Sequence, residues 1–224
     1  MKFITLLIAS LLFSSLAEAT DKPNIILIFA DDWGYGDMSL HGSDWIETPN
    51  LDQMAREGID FQNFTVGNPV CSPSRVAVMT GKYPARFCIH QHFAGVGSNK
   101  KRGMPDWLDP NVPLLPKLLQ EAGYKTGHFG KWHLNGLRGP GVPVLKSYPN
   151  GPQDFGFQKW VSVTNFFDLN PVMSRNGKFE EFKGDSSEII IEEALQFITE
   201  QKKKESPFLC VVWYGTPHVP FMSL

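Results

Sequence analysis

The apolar run at residues 24–30 is the feature of this sequence that most constrains its fold. It reads Asn24-Ile-Ile-Leu-Ile-Phe-Ala30 and is rich in β-branched residues, with no alternation of apolar and polar side chains. A continuous apolar run of this length predicts a strand buried on both faces, which is typical of a parallel sheet covered by helices. The run ends abruptly at Asp31 and Asp32.

Further strands and helices are predicted to alternate along the chain. Each predicted helix has a capping residue, a proline or a glycine at one of its ends. The predicted helices begin at Thr48-Pro49 (with Leu51, Met54 and Ala55 as the apolar face, ending at Gly58), at Ser72-Pro73 (ending at Gly81), at Leu114 (ending at Gly123) and at Asp185 (ending near Lys204). Further strands are predicted at 59–66, 124–130 and 207–214, and long loops at 138–183. The alternation predicts an α/β fold with a mostly parallel sheet.

The first nineteen residues have the pattern of a secretory signal peptide. Lys2 gives a positive start, an apolar run covers 3–16, and Ala17-Glu18-Ala19 fits the small-x-small cleavage pattern. The apolar run is shorter than the roughly 20 residues that cross a bilayer. We therefore expect cleavage after Ala19 and no membrane span in the mature chain. The product would be exported, to a periplasm, a lysosome or the extracellular space.

The charge balance argues against a nucleic-acid partner. The chain has 21 Lys and Arg against 23 Asp and Glu, a net charge of −2. A nucleic-acid-binding domain needs a basic excess or a basic patch to contact phosphates. The 3 cysteines are too few for a disulfide scaffold.

Polar residues follow three of the predicted strands, where an open parallel sheet binds its ligands. Asp31 and Asp32 follow the first strand, and adjacent carboxylates are a natural site for a hard cation; the alternative is a turn or a helix cap. Lys131 and His133 follow the second of these strands. Spaced i, i+2 in an extended segment, they would point to one face, where Lys stabilises an oxyanion and His transfers protons. His218 follows the third strand. The alternatives are a surface Lys and packed histidines.

Cys71-Ser-Pro-Ser-Arg75 lies where a helix is predicted to begin. Backbone N–H groups at such an end favour an anion, and Arg75, one turn further on, could bind the same anion. A Cys at a helix N-terminus is also a candidate reactive thiol. The alternative is a small buried residue beside a capped helix.

Taken together, these motifs resemble the formylglycine-dependent sulfatases of the alkaline-phosphatase superfamily. Cys71-x-Pro73-x-Arg75 followed by Thr80-Gly81-Lys82 resembles the signature in which Cys is oxidised to formylglycine. The other matching segments are Pro23–Asp37, Thr48–Asp52, Gly123–His133 and Pro207–Pro220. They occur in the family's order over nearly all of the mature chain, 20–224.

The resemblance implies an alkaline-phosphatase-like α/β fold and hydrolysis of sulfate esters, either aryl or carbohydrate sulfates. Cys71 would become formylglycine through a maturation enzyme, and its hydrated form would attack sulfur. Asp31, Asp32 and position 71 would hold Ca²⁺, with Mg²⁺ as the other candidate. The substrate would be a sulfated small molecule or a sulfated glycan.

The resemblance also implies roles for the remaining site residues. Arg75 would hold the geometry around the nucleophile and the metal, and Lys131 would bind sulfate oxygens. His133 would remove a proton in the release step. His218 would hydrogen-bond the leaving-group oxygen or donate its proton.

The sequence departs from the family pattern after Pro220. The family has a later pair of metal ligands, Asp followed by Asn or His, and a second active-site Lys; neither occurs here. The sequence therefore resembles the N-terminal portion of a sulfatase, and we expect this chain alone to be inactive. Two alternatives stay open: a phosphate or phosphonate ester hydrolase of the same superfamily, and a non-catalytic secreted protein that binds sulfated glycans.

Overall fold

Six strands form one sheet in the computed structural model, which describes residues 22–136, 141–147, 150–165 and 167–219. The strands are β1 (Ile25–Asp31), β2 (Lys125–Lys131), β3 (Lys159–Val163), β4 (Val172–Arg175), β5 (Lys178–Glu181) and β6 (Phe208–Pro217). Their order across the sheet is β1-β6-β2-β3-β4-β5. The first four are parallel, and β4 and β5 extend the sheet antiparallel. The prediction of an α/β fold with a mostly parallel sheet is confirmed.

Five α-helices accompany this sheet in the described part of the chain. They are α1 (Pro49–Glu57), α2 (Cys71–Thr80), α3 (Val96–Lys101), α4 (Leu115–Glu121) and α5 (Ser186–Lys203). Asp185 caps α5 as predicted, because its carboxylate accepts from the backbone N–H groups of Ser187 and Glu188. Gly81 ends α2 with a left-handed φ of +64°. None of the helices between residues 22 and 219 is long and apolar enough to cross a membrane.

The core lies on both faces of the sheet. On one face α5 packs through Ile190, Ala194 and Phe197 against Phe129 and Val212 of the strands. The other face is covered by α2, α4 and the loops around them, which contribute the buried side chains Val76, Met79, Phe93, Leu108 and Leu114. Each of these large side chains contributes about 1.5–3 kcal/mol by leaving water. The strands β6, β2 and β3 are therefore held rigidly at the centre.

The parallel strands bring their carboxyl ends to one edge of the sheet. In the register of the sheet, Asp31 of β1 is opposite Pro217 of β6, and Lys131 of β2 is opposite Val163 of β3. Consequently Asp31, Lys131 and His218 all lie at that edge, as the sequence predicts.

Several predictions about individual elements are wrong. Residues 59–66 form turns and irregular structure rather than a strand, and Phe61 and Phe64 are exposed, because none of the described strands pairs with this segment. The predicted loop region 138–183 contains β3, β4 and β5. Trp160 and Val161 of β3 are buried because β3 pairs with β2 and so has the core on both sides.

The strand β1 is also less buried than predicted. Ile26 and Ile28 are 52% and 53% exposed, because β1 lies at the edge of the described sheet and one of its faces is open. Similarly, Leu51 and Met54, the predicted apolar face of α1, are exposed. Here the apolar spacing identified the helix correctly but not its environment.

Two predicted helix caps differ as well. The Thr48 hydroxyl makes no cap hydrogen bond and instead donates to Asp52 at 2.8 Å. Helix α2 begins at Cys71 after Val70, so Ser72 and Pro73 lie within its first turn rather than before it. Proline is tolerated there because the first turn has no intrahelical acceptors for its N–H groups.

Candidate active site

A buried carboxylate with two cationic partners forms the centre of the site. Asp31 ends β1, Lys131 ends β2, and Arg75 lies one turn into α2. Oδ2 of Asp31 accepts hydrogen bonds from Nη2 of Arg75 at 3.2 Å and from Nζ of Lys131. Asp31 is 5% exposed and both cations are fully buried. A buried charge is stable only when it is paired, so these three side chains fix one another.

Arg75 is also held by contacts besides this ion pair. Its Nη1 donates to the backbone carbonyl of Lys131 at 3.1 Å. Its guanidinium carbon lies 4.7 Å from the centroid of the Trp213 ring and 5.7 Å from that of Phe29. Burial lowers the pKa of Arg75, while the charge of Asp31 opposes that shift. The cation–π contacts add stabilisation that is larger for a desolvated cation than for an exposed one.

Cys71 is the first residue of α2 and lies beside this cluster. It lines a cavity of about 410 Å³ together with Asp31, Asp32, Asn68 and Ser74. Burial raises the pKa of the Cys71 thiol, and the charge of Lys131 opposes this shift. At neutral pH the unmodified side chain is therefore a thiol, which is a poor nucleophile compared with a thiolate.

His133 is a neutral, buried histidine at the end of the same strand as Lys131. Its Nε2 donates to the backbone carbonyl of Phe93 at 2.9 Å. Its Nδ1 is buried and has no hydrogen-bond partner among the described residues. Burial, reinforced by the charge of Lys131, holds its pKa well below 6.5. Because Nε2 carries the proton, Nδ1 has a free lone pair and is the atom that can accept one.

The prediction that Lys131 and His133 lie in one extended segment is wrong at His133. The backbone of His133 has a φ of +47°, in the left-handed region. The reason is the hydrogen bonding at this edge: the N–H of His133 donates to the carbonyl of Thr164 while its ring donates to Phe93. Both residues still lie at the site, but Lys131 bonds to Asp31 whereas His133 bonds to Phe93.

Asp32 and His218 form the more exposed part of the site. Nε2 of His218 lies 3.6 Å from Oδ2 of Asp32. The side chain of Asp32 is 55% exposed, and its backbone φ is +65°, a conformation that Asp tolerates better than most residues. The structure thus brings together all seven of the residues that the sequence analysis selected.

His92 is a site residue that the sequence analysis missed. The centroid of its ring lies 6.3 Å from that of His133. The next residue, Phe93, donates its N–H to Oγ of Ser72 at 2.9 Å and accepts from His133 through its carbonyl. The segment therefore joins the start of α2 to the end of β2. Nothing in the local sequence indicates that His92 lies near His133, because this proximity depends on how residues 81–92 turn back toward the sheet.

The comparison with protein families agrees with this geometry. The family model described as Sulfatase matches residues 23–223. This chain belongs to the sulfatase family. The resemblance predicted from the motifs is confirmed, and with it the membership of a family of sulfuric ester hydrolases.

Individual sulfatases resemble the chain over most of its length. The N-acetylgalactosamine-6-sulfatase of Mus musculus is 34% identical over 96% of this chain and 44% of its own length. The ulvan-active sulfatase of Formosa agariphila is 32% identical over 90% of this chain and 37% of its own length. The chain thus spans less than half of the length of these relatives.

Solved sulfatase structures share the fold. The crystal structure of Ps i-CgsB superposes with a TM-score of 0.77 at 29% identity, covering 89% of this chain and 46% of that one. BT4656, solved in complex with D-glucosamine-2-N,6-O-disulfate, has a TM-score of 0.67 at 31% identity, covering 88% and 35%. The expected sulfatase fold, with its sheet and flanking helices, is confirmed.

The donor set fits one part of a hard-cation site. Asp31 and Asp32 line the same cavity as Cys71, and carboxylate oxygen is the ligand that Ca²⁺ and Mg²⁺ prefer. Ca²⁺ takes 6–8 oxygen ligands, however. No group of three or more His, Cys, Asp or Glu side chains within the described ranges is arranged to hold a metal ion. The two carboxylates therefore have the oxygen chemistry that a hard cation prefers but are a minority of the ligands it takes.

Proposed function

We propose that the protein hydrolyses sulfate esters of sugars or other small molecules, with position 71 as the nucleophile. The observation that carries this proposal is the convergence of Asp31, Arg75 and Lys131 beside Cys71 at the carboxyl edge of the sheet. This edge combines a nucleophile position with cations that can hold a sulfate anion. The named sulfatase relatives support the same substrate class.

Modification of Cys71 is part of this proposal. The raised pKa of its thiol leaves the unmodified side chain poorly suited to attack sulfur. Formylglycine, made from Cys71 by a maturation enzyme, supplies in its hydrated form the oxygen nucleophile that a thiol does not. Arg75, anchored by Asp31 and the ring of Trp213, keeps the groups around this position in a fixed geometry.

The other site residues bind the sulfate and move protons. Nζ of Lys131 binds a sulfate oxygen and stabilises the charge that grows on it in the transition state. After the alcohol has left, Nδ1 of His133 accepts the proton of the second hydroxyl at position 71, because Nε2 is already a donor to Phe93. That hydroxyl oxygen re-forms the aldehyde C=O while the C–O bond to the sulfate breaks, and sulfate leaves with the electron pair. His218 donates a hydrogen bond or a proton to the leaving-group oxygen from the more exposed side of the site.

The acidic pair is proposed to hold Ca²⁺, with Mg²⁺ as the other candidate. A bound divalent cation would supply positive charge that lowers the pKa of the nucleophile and polarises a sulfate oxygen. Asp31 and Asp32 are the residues of this chain that would hold it, beside position 71. Because two carboxylates are a minority of the 6–8 ligands of Ca²⁺, we propose that residues 20–224 on their own have no turnover.

Export is the remaining part of the proposal. Residues 1–19 lie outside the described ranges, and the pattern of a charged start, an apolar run and Ala17-Glu18-Ala19 supports cleavage and secretion. Sulfated glycans outside the cell or in a degradative compartment are the substrates that such a location makes available.

The test uses the protein encoded by the full gene, co-expressed with a formylglycine-generating enzyme. The peptide that contains position 71 should lose about 18 Da relative to the thiol form. The purified protein should hydrolyse 4-nitrophenyl sulfate and sulfated sugars and should lose most activity on exhaustive chelation. The variant Cys71→Ala should show no activity.

An active protein with an unmodified thiol contradicts the proposed nucleophile. Faster hydrolysis of 4-nitrophenyl phosphate than of the sulfate contradicts the substrate class, and binding of sulfated glycans without turnover contradicts hydrolysis.

A further inference from the structure

His92 lies among the groups that bind and cleave the sulfate ester in the proposed function. Its ring is 6.3 Å from that of His133 between centroids and is only partly buried. Burial lowers the pKa of His92, and the charges of Arg102, Lys131 and His218 act in the same direction. The ring is therefore partly accessible beside His133, a residue of the proposed reaction site.

The backbone around His92 is fixed from three sides. Its carbonyl accepts from Nη1 of Arg102 at 2.9 Å. The following residue, Phe93, is held by Oγ of Ser72 and by the ring of His133. Phe93 itself is fully buried. A side chain carried by a backbone this constrained is preorganised, which is what a selective contact requires.

The hydrogen bonds of His92 determine which nitrogen carries the proton. Oε1 of Gln91 lies 2.9 Å from the backbone nitrogen of His92 and 2.9 Å from its Nδ1. The backbone N–H can only donate, so the Gln91 atom is the amide oxygen, which can only accept. Nδ1 must therefore be the protonated nitrogen. In the neutral ring Nε2 is left as a hydrogen-bond acceptor.

We propose that Nε2 of His92 accepts a hydrogen bond from a hydroxyl group of the substrate, next to the sulfate ester, and so selects sugar sulfates over simple aryl sulfates. This proposal rests on the proposed function for the identity of the anion site. It differs from the roles of Lys131, His133 and His218, which act on the sulfate and the bond that breaks. A site built to accept a hydroxyl discriminates strongly against ligands that lack one.

The test measures binding rather than turnover, so that it does not depend on the chemistry at position 71. The Cys71→Ala form of the full-length protein is titrated by calorimetry with galactose 6-sulfate and with 4-nitrophenyl sulfate, which has no hydroxyl group. His92→Phe keeps a ring but removes the acceptor, and His92→Gln places an amide oxygen near the position of Nε2. His90→Phe, at an exposed histidine two residues away, is the matched control.

We expect His92→Phe to weaken binding of galactose 6-sulfate about tenfold, the loss that one hydrogen bond gives. The loss for 4-nitrophenyl sulfate should be at least fivefold smaller, and His92→Gln should restore most of the sugar affinity. The proposal is overturned if His92→Phe lowers the affinity for both ligands equally or for neither. It is also overturned if His90→Phe has an equal effect, or if the parent does not bind galactose 6-sulfate. Selective binding by the Cys71→Ala form, together with no turnover by the protein that carries formylglycine at position 71, would instead refute hydrolysis and leave the role of His92 intact.

Discussion

His128 is a fully buried histidine in the middle of β2 that has no role in the proposed reaction. Its Nδ1 is 2.7 Å from Oγ of Ser162, and its ring makes edge contacts with Trp132 and Trp213. Burial holds its pKa well below 6.5, and the charge of Arg75 acts in the same direction. The folded chain therefore keeps this ring neutral at a pH where the unfolded chain protonates it.

This difference makes the free energy of unfolding depend on pH. The contribution of His128 is fully present above about pH 6.5, the pKa of an unfolded histidine. It is lost as the pH falls from 6.5 toward the lower folded pKa, at up to about 1.4 kcal/mol per pH unit. We expect urea denaturation to show this loss between pH 7.5 and 5, with a shallower slope for His128→Phe. An unchanged slope in His128→Phe, or the same reduction in the exposed variant His90→Phe, would contradict the prediction.

At the scale of single residues, the strand-end positions of Asp31 and Lys131 could be predicted because carboxyl ends of parallel strands share an edge. The anchoring of Arg75 by Trp213 could not. Trp213 looks like an ordinary apolar residue within β6, and its contact with the guanidinium depends on how α2 lies across the sheet. The same holds for His92, whose neighbours in space are distant in sequence.

At the scale of elements, Gly130 determines whether β2 and β6 can pair next to the site. It lies opposite Trp213 in the sheet and has a φ of +110°. A Cβ atom at this position would lie 2.0 Å from the carbonyl oxygen of Trp213. This is a backbone atom that cannot move without breaking the pairing, so only glycine fits.

We therefore expect Gly130→Ala to lower the free energy of unfolding by about 2–3 kcal/mol, the usual cost of overpacking a rigid interior. Displacement of β6 would also move Trp213 and so reduce binding at the adjacent site. Gly97→Ala in α3 is the control, since nothing lies within 4 Å of its added Cβ; it should be neutral or stabilise by about 0.5 kcal/mol. Urea denaturation of the two variants decides, and equal stabilities would refute this role of Gly130.

The helices and strands that the sequence predicts best are those with strong end signals, such as α5 with its Asp185 cap and β6 with its continuous apolar run. Strands β3, β4 and β5 were missed because they are only four or five residues long and lie between segments rich in Gly and Pro. Residues 59–66 have a strand-like composition, but no strand in the described ranges pairs with them. Strand formation depends on pairing across the sheet, which local sequence does not record.

At the scale of the whole molecule, the open face of β1 predicts self-association. Strand β1 pairs only with β6 among the described strands, and Ile26 and Ile28 expose more than half of their side chains. An exposed apolar edge strand is a template for pairing with another chain. Analytical ultracentrifugation of residues 20–224 should show association at tens of micromolar and above.

The replacement Ile26→Lys should reduce this association because it adds a charge to the edge strand. Leu195→Lys is the matched control, since Leu195 of α5 is exposed to a similar degree but lies on a helix. A parent chain that stays monomeric at all these concentrations would reject the prediction. So would an equal effect of the two replacements on association.

The position of β6 between β1 and β2 has a consequence for synthesis of the chain. Strand β1 emerges from the ribosome early, but the strand it pairs with ends at Pro217. At 5–20 residues per second, roughly 10–40 s separate the synthesis of Asp31 from that of Pro217. Throughout that interval the apolar run of β1 has no β6 to pair with. Asp31 and Lys131 cannot yet be held on either side of β6. The nascent chain therefore depends on protection from aggregation until its last described strand is made.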